Sequence, residues 1–496
     1  MPSLPPDDAA LEDLRALVAA LREANARLRE VVEAKDAQLE AAQAQIAVLS
    51  GRVADLERRL GKDSSTSSKP PSSDSPYRKK PRDRSLRGRS GRRPGKQPGA
   101  QSSTLRQSPD PDERVECWPA ACRCCGADLA DAQVASVCRR QVSEAQPAPP
   151  PMVTEYRVVA KECPGCGAVT EGVAPEGVTS LVQYGPGVHA RAALAVCGHY
   201  LPVARGARLM AAYTGVNVSA GFMAGVRGKA ASRLGPFIDQ VRELLRAAGV
   251  LYADETPARA AGGLRYVHIA CTEFLTALHT GDRTKEAIDA GGVLPGYTGT
   301  IVRDGYAGYE HLASAVHAWC GAHGLRDLKG LYEFDPDGQL WARSMADLLI
   351  WANKQATAAR AAGQASLSDA QLAEIRSWYR GAVAKGISDN SRRRSQIAKD
   401  GLRLARRFRS HQDMILRFAT DLTVGFTSNE AERGVRPVKV QQRTSGGCWR
   451  TLQGLADYAI VQSYLSTATK WGIDALDALT QLFTTGPWLP AAVRPG

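Results

Sequence analysis

Gly249-Val-Leu-Tyr-Ala-Asp254-Glu-Thr-Pro257 is the stretch on which the fold turns. A short apolar run rich in β-formers reaches a carboxylate and a Thr-Pro pair follows, which predicts a strand with an acid at its tip and a turn after it. Thr300-Ile-Val-Arg-Asp304-Gly-Tyr-Ala-Gly-Tyr309 repeats the design with other neighbours: an apolar strand, an acid, then a glycine turn. Between them, Leu264 to Thr272 and Phe274 to Thr280 read as two more strands, and Arg283 to Gly292 as a short helix or turn. The order is therefore β, β, β, a short helical piece, β, which is the pattern of an α/β domain. A third acid lies in Thr427-Ser-Asn-Glu-Ala-Glu432-Arg-Gly-Val-Arg-Pro-Val-Lys439, where Thr427 or Ser428 would cap a helix carrying the glutamate in its early turns. A helix beside the sheet would bring Glu432 to both aspartates.

Converging carboxylates repel one another, and a cation relieves the repulsion. Mg²⁺ demands hard oxygen ligands and usually takes one or two carboxylates, with water and substrate phosphate completing its shell. Two such ions about 3.5 to 4 Å apart can serve both oxygens of an in-line phosphoryl displacement. Spacing alone leaves a second reading open, in which each acid is an ordinary solvated turn residue.

At these positions the chain resembles the DDE transposases of the insertion-sequence-66 type. The matches are Asp254-Glu-Thr-Pro257, Asp304-Gly-Tyr-Ala-Gly-Tyr309 and Ser428-Asn-Glu-Ala-Glu432-Arg433, with a trailing Arg436-Pro437. Ser428 stands where the family has a first Asn, and Gly425-Phe-Thr427 replaces the usual preceding proline and acid. The resemblance implies a ribonuclease-H-like core in which Asp254, Asp304 and Glu432 hold two Mg²⁺, or Mn²⁺, and not their neighbours Glu255 and Glu430. It implies cleavage at element ends and attack of the freed 3′-hydroxyl on target DNA. Lys439, seven residues after Glu432, resembles the DNA-contacting lysine of bacterial DDE enzymes. Cys320-Gly-Ala-His323 resembles the family's Cys-Trp-Ala-His segment with Gly321 in place of Trp, making Cys320 and His323 candidate supporting residues. Read by itself, that segment is equally a buried strand with a packed cysteine. Small element-encoded accessory proteins are further implied partners.

The N-terminal sixty residues are organised differently. With Leu11 as heptad position a, the a sites run Leu11, Val18, Asn25, Val32, Leu39, Ile46, Val53 and Leu60, and d holds Leu14, Leu21, Leu28, Lys35, Ala42, Leu49 and Leu56. β-Branched residues at a, leucine at d and one Asn at a favour a parallel two-stranded coiled coil over residues 1–60, hence a homodimer. Residues 61–108 shift to Ser, Pro, Gly and cations, too poor in apolar side chains to offset ordering entropy, and so read as a disordered basic linker. From Lys62 to Lys96 twelve basic residues face three acidic ones, and Arg87, Arg89, Arg92, Arg93 and Lys96 are candidates for sequence-independent phosphate contact. Cys122-Arg-Cys-Cys125-Gly and Cys163-Pro-Gly-Cys166-Gly then supply two Cys-x2-Cys knuckles within 109–175. Cys122, Cys125, Cys163 and Cys166 would close a tetrahedral structural Zn²⁺ site, with Cys117 and Cys124 as substitute ligands, free thiols as the other reading, and Met152 to Lys161 as a strand leading back to the second knuckle.

Residues 176–248 read as helices, and the glycine-containing break before Ser219 resembles a helix-turn-helix, although an ordinary helical bundle fits the pattern equally well. The 128 residues from Asp304 to Glu432 exceed a bare core, and Leu340 to Ala362, Ser368 to Ala384 and Ser391 to Arg407 have helical spacing. The core is thus expected over 249–452 with a helical insertion at about 328–420, followed by an amphipathic segment over 453–496 that covers it. Arg433, Arg436, Lys439 and Arg443 are candidate phosphate contacts near the site. The net charge of +13 in 496 residues favours a polyanionic partner, here double-stranded DNA of the element's terminal inverted repeats and its target. Eleven cysteines without secretory features point to thiols and metal ligands, and no apolar run spans a membrane. A cytoplasmic, nucleoid-associated transposase is the expectation. Its rivals are a catalytically inert DNA-binding or regulatory relic of such an enzyme, and a nuclease that cuts without joining.

Overall fold

The computed structural model describes residues 8–61, 105–145, 147–148 and 150–492. Two compact units emerge, one holding the stretch that ends at Ala174 together with Leu209–Asn217, the other holding Pro175–Arg208 and the chain from Val218 onward, with the N-terminal helix. That helix, α1, runs unbroken over Asp8–Gly61. Its heptad leucines lie on the surface of the single chain, Leu21 at 57% and Leu28 at 62% exposure. The linker cations Arg87, Arg89, Arg92, Arg93 and Lys96 fall outside the described residues.

In the smaller unit the only paired strands among the described residues are β1 (Ala160–Glu162) and β2 (Val169–Glu171), an antiparallel pair flanking the second knuckle. The strand expected over Met152 to Lys161 is thus confined to its last residues. Met152 through Val159 find no ladder partner and stay exposed, and alternation without a partner does not make a strand.

The larger unit opens with α2 (Pro186–Ala193), which passes through a π-turn at Leu194–Gly198; α3 (Val203–Thr214) is divided between the units after Arg208, and α4 (Ala220–Ala231) and α5 (Gly235–Arg246) follow in the larger one. Ser219 caps α4 by accepting from the Phe222 N–H at 3.0 Å. Then come β3 (Val250–Ala260), β4 (Gly263–Cys271), β5 (Thr276–Gly281), α6 (Lys285–Ala290), β6 (Thr300–Arg303) and β7 (Val316–Trp319). They form a five-stranded mixed sheet in the order β5-β4-β3-β6-β7, with β3, β6 and β7 parallel and β4 antiparallel to both neighbours. The class is α/β, as expected.

One local expectation is corrected. Asp254 does not end its strand, and Thr256-Pro257 is no turn: β3 continues to Ala260 and pairs with β4 along its length. Ala261 and Gly262, both with left-handed backbone (φ 51° and 78°), close a two-residue hairpin that holds the extension in place. Pro257 is tolerated because β3 meets β6 only at Val250, Leu251 and Tyr252, so no second ladder runs past it.

A helical layer follows β7: α7 (Gly321–Phe334), α8 (Leu340–Ala361), α9 (Asp369–Ser391), α10 (Gln396–Ser410) and the single turns α11 (Gln412–Ile415) and α12 (Arg417–Thr420). Ser368 and Gln371 form a capping box that starts α9. This layer has an apolar core of its own around Trp341, Met345, Leu348, Tyr379 and Phe408, continuous with Trp319 of β7. Inside it, Gln339 donates to Asn390 at 2.7 Å and accepts from the Trp341 indole at 2.8 Å, so the buried amides are satisfied.

The chain returns through α13 (Asn429–Thr444), α14 (Leu452–Lys470) and α15 (Ala475–Thr484). α13 packs on β3 and β4, where Gly434 meets Ile269 so closely that a Cβ would collide with it; α14 covers β5 and packs on α4. No described helix is long and apolar enough to cross a membrane.

Candidate active site and cysteine knuckles

The site follows from register. Tyr252 of β3 pairs with Val302 of β6, the last pair of that ladder; Asp254 stands two residues further along β3, and Asp304 directly follows Arg303, the last residue of β6. Both acids therefore lie just past the ladder, at the carboxyl end of β6, near enough for the charge of Asp304 to act on Asp254. Glu432 enters from the first turn of α13, the helix lying on β3.

Each of the three carboxylates has one oxygen engaged by a protein donor. Asp254 Oδ1 accepts from the Glu255 N–H at 2.8 Å, Asp304 Oδ1 from the Tyr306 N–H at 2.9 Å, and Glu432 Oε1 from Arg326 at 3.0 Å. The remaining oxygens, Asp254 Oδ2, Asp304 Oδ2 and Glu432 Oε2, have no hydrogen-bond donor among the described residues. The Asp254 carboxyl is held well above the usual carboxylate range: desolvation is the largest cause, and the charges of Glu255, Asp304 and Glu432 add to it against the Glu255 N–H. A group of acids that disfavours its own charge is a place where a cation is stabilised.

Glu255 itself is occupied. On the opposite face of β3, with 2% of its side chain exposed, it binds Arg283 at 2.6 Å and accepts from the Tyr309 hydroxyl at 2.9 Å. Glu430 is paired with Arg433. The glycines of Asp304-Gly-Tyr-Ala-Gly-Tyr309 are explained by the same packing. A side chain at 305 would collide with the Arg407 guanidinium, which lies 3.8 Å over the Trp319 ring, and one at 308 with the Tyr306 ring, which in turn stacks on Arg283 at 4.0 Å.

Cys320 and His323 do not form a buried strand; they begin α7, which leaves β7 directly. Cys320 Sγ accepts the Ser428 N–H at 3.2 Å, and Gly321 N–H donates to Phe426 O at 2.8 Å, so the start of α7 is tied to the approach of α13. His323 is buried and neutral, its basicity pushed down to about 3 by burial and by Arg326 and Arg407. Ser428 occupies the N-cap position expected of it but makes no side-chain cap bond, and its buried hydroxyl has no partner among the described residues. Gly321 and Phe426 touch: the Phe426 ring fills the space a side chain at 321 would take.

A family model described as "Transposase IS66 family" matches residues 181–456, more than half of the chain. The chain belongs to the IS66 transposase family. The match takes in the sheet, the helical layer and α13, so all three acids of this family member fall within it. Residues 3–106 match a family of unknown function, DUF6444, and no curated protein matches significantly.

Of the cations singled out in the sequence, Arg436 and Arg443 of α13 are exposed, Arg433 is engaged by Glu430, and Lys439 donates to the Pro257 carbonyl. Burial, and then Arg443, pushes the Lys439 ammonium down to about 8. Three cations escaped the sequence reading. Arg326 lies on Glu432; Arg407 lies beside Gly305 and 3.9 Å from Asp327; buried Arg303 donates to the carbonyls of Asp304 and Tyr306. No local motif in the sequence signals the first, since its partner Glu432 lies 106 residues later.

The two knuckles share one backbone design. Gly126 N–H donates to Cys122 O at 2.9 Å and Gly167 N–H to Cys163 O at 2.8 Å, and both glycines are left-handed, at φ 76° and 71°. In each, the first thiol is shifted down by neighbouring backbone N–H groups, with its partner Cys125 or Cys166 also bonding it. Thiolate-favouring pairs at that spacing suit Zn²⁺ as a donor set. Among the described residues no group of three or more His, Cys, Asp and Glu is placed to hold one metal ion.

Proposed function

We propose that this family member binds the ends of its insertion sequence and catalyses divalent-metal-dependent DNA cleavage and strand transfer, with Asp254, Asp304 and Glu432 as its catalytic acids. The observation that carries the reading is the trio of carboxylates, each with one oxygen engaged by the protein and the other without a protein donor. Such engagement orients metal ligands from behind. Mg²⁺ or Mn²⁺ suits such acids, since each ion takes one or two carboxylates and completes its shell with water and phosphate. Two ions held there would activate the attacking oxygen and stabilise the leaving one.

The residues do the rest. The Glu255 and Tyr306 N–H groups and Arg326 hold the three acids in orientation, and Glu255 is kept out of the site by Arg283 and Tyr309. Arg407 reaches the Asp304 edge from a helix whose Lys399, Arg403 and Arg406 are exposed, a row suited to the phosphates of DNA led toward the acids. In this reading the sheet with its helical insertion is a ribonuclease-H-like core, α1 pairs two copies as a parallel coiled coil so that two element ends are brought together, and the four knuckle cysteines hold a structural Zn²⁺. The domain divisions given above go with it, as do the phosphate-contact cations. An inert DNA-binding relic is disfavoured by the intact acids. The test is joining of a 3′-hydroxyl element end to a target plasmid. Joined product with Mg²⁺ and none with chelator supports the proposal; binding without joining, with accessory proteins supplied, defeats it.

A further inference from the structure

We infer that Arg326 is the positioning residue for Glu432, and that the Cys320-x2-His323 turn is the mount that aims it. The inference rests on the reading of Asp254, Asp304 and Glu432 as the metal-holding acids.

The two aspartates are fixed by their own strands and the N–H groups beside them, whereas Glu432 comes from a helix 128 residues away in sequence and has a longer side chain to hold. Its orientation has to be supplied by a partner. Arg326 donates from Nη2 to Glu432 Oε1 at 3.0 Å and from Nε to the Ala322 carbonyl one turn back at 3.3 Å, so the guanidinium is aimed by its own helix. The helix in turn is registered against the glutamate's helix. Cys320 N–H donates to Arg303 O at 2.8 Å at the end of β6, Gly321 N–H to Phe426 O at 2.8 Å, and Ser428 N–H to Cys320 Sγ at 3.2 Å. Those three bonds tie β6, which precedes Asp304, to α7 and to the entry of α13. His323, buried and without a charge of its own, packs at the same turn and leaves Arg326 the cation that reaches Glu432. Arg326 is itself mostly buried, with 18% of its side chain exposed, which limits where its charge can go. Cys320 therefore acts as part of a backbone joint rather than as a ligand or nucleophile, and Glu432 keeps Oε2 for a cation.

Two physical effects of Arg326 oppose each other, and their sign is measurable. A guanidinium beside a cation site repels the cation, so by charge alone its removal would tighten metal binding. If its work is orientation, removal weakens it. We expect orientation to dominate. The experiment titrates Mn²⁺ into the full chain without DNA and follows free Mn²⁺ by electron paramagnetic resonance, with circular dichroism as a fold check. Arg326→Gln should weaken Mn²⁺ binding by about 10- to 100-fold, the usual range for loss of a supporting contact. Arg326→Lys should recover part of that loss, since an ammonium can still donate to Glu432. In a Glu432→Gln background the same Arg326→Gln change should have almost no further effect.

Unchanged or tighter Mn²⁺ binding by Arg326→Gln overturns the inference, as does an equal loss in the Glu432→Gln background, which would mean a general disturbance of the site. If Arg326→Gln fails to fold, the lysine variant decides: Mn²⁺ binding between wild type and Glu432→Gln supports the inference, and binding equal to either one refutes it. Failure of the underlying reading looks different. Wild type and Glu432→Gln would then bind Mn²⁺ equally, or neither would bind it, whatever stands at 326.

Discussion

Replacing Leu21 and Leu28 together by alanine should split the protein into monomers without harming the sheet. Both are heptad d residues of α1, and in the single chain they are 57% and 62% exposed. Full burial of a leucine stabilises by about 1.5 to 3 kcal/mol, so the six-tenths still open to water leaves roughly 1 to 2 kcal/mol for a partner helix to gain. Alanine retains a small share of that area, which puts the loss at roughly 1 kcal/mol per side chain. A dimer contains four such positions, giving about 3 to 5 kcal/mol, or about 10²- to 10⁴-fold in the dimer dissociation constant. Sedimentation equilibrium of the full chain measures this directly, and the ellipticity of α1 should fall with it because an isolated amphipathic helix lacks tertiary support. Equal dissociation constants for wild type and variant would refute the coiled-coil argument, as would a wild type that is monomeric throughout.

Three further outcomes follow from the geometry. Because Asp254 has its proton affinity raised by folding, the folded state holds more protons than the unfolded one above the ordinary carboxylate value of 3.8, so its contribution to stability falls as pH rises through that window. Melting in chelator from mildly acidic to mildly alkaline pH should show this decline, Asp254→Asn should flatten it, and the stabilisation given by added Mg²⁺ should grow with pH as protons cease to compete. At the α7–α13 joint, Gly321→Ala should cost about 1 to 3 kcal/mol by overpacking against the Phe426 ring, and most of that should vanish when Phe426→Ala is made with it, as urea unfolding of the double-mutant cycle would show. In the knuckles, Cys122→Ser or Cys163→Ser should each reduce bound zinc, measured by atomic absorption, from about one ion per chain toward none, since one four-thiolate site needs both pairs.

The elements were legible where periodicity is long or the pattern local. α8 begins at Leu340 and ends within a residue of the expected Ala362, because its apolar stripe recurs over six turns. The strand at Asp254 was misjudged at its far end: Thr-Pro ordinarily signals a turn, and the hairpin that extends β3 is closed by Ala261-Gly262, which lacks the Asn-Gly or Asp-Gly signature. The three acids could be picked out because each stands in a short motif. The groups that orient them could not, since an arginine on one helix meeting a glutamate 106 residues later is a tertiary fact with no local sign. The same holds for Arg407, whose reach to Gly305 depends on how the helical layer docks on β7.

The most direct measurement is Mg²⁺-dependent strand transfer of DNA carrying the element's own ends by wild type, Asp254→Asn, Asp304→Asn and Glu432→Gln, each checked for unchanged zinc content and dimerisation. Joined product is expected from the wild type and none from any of the three variants, with DNA binding retained throughout. Joining at the wild-type level by any one of them would contradict the central claim that these acids form the catalytic site.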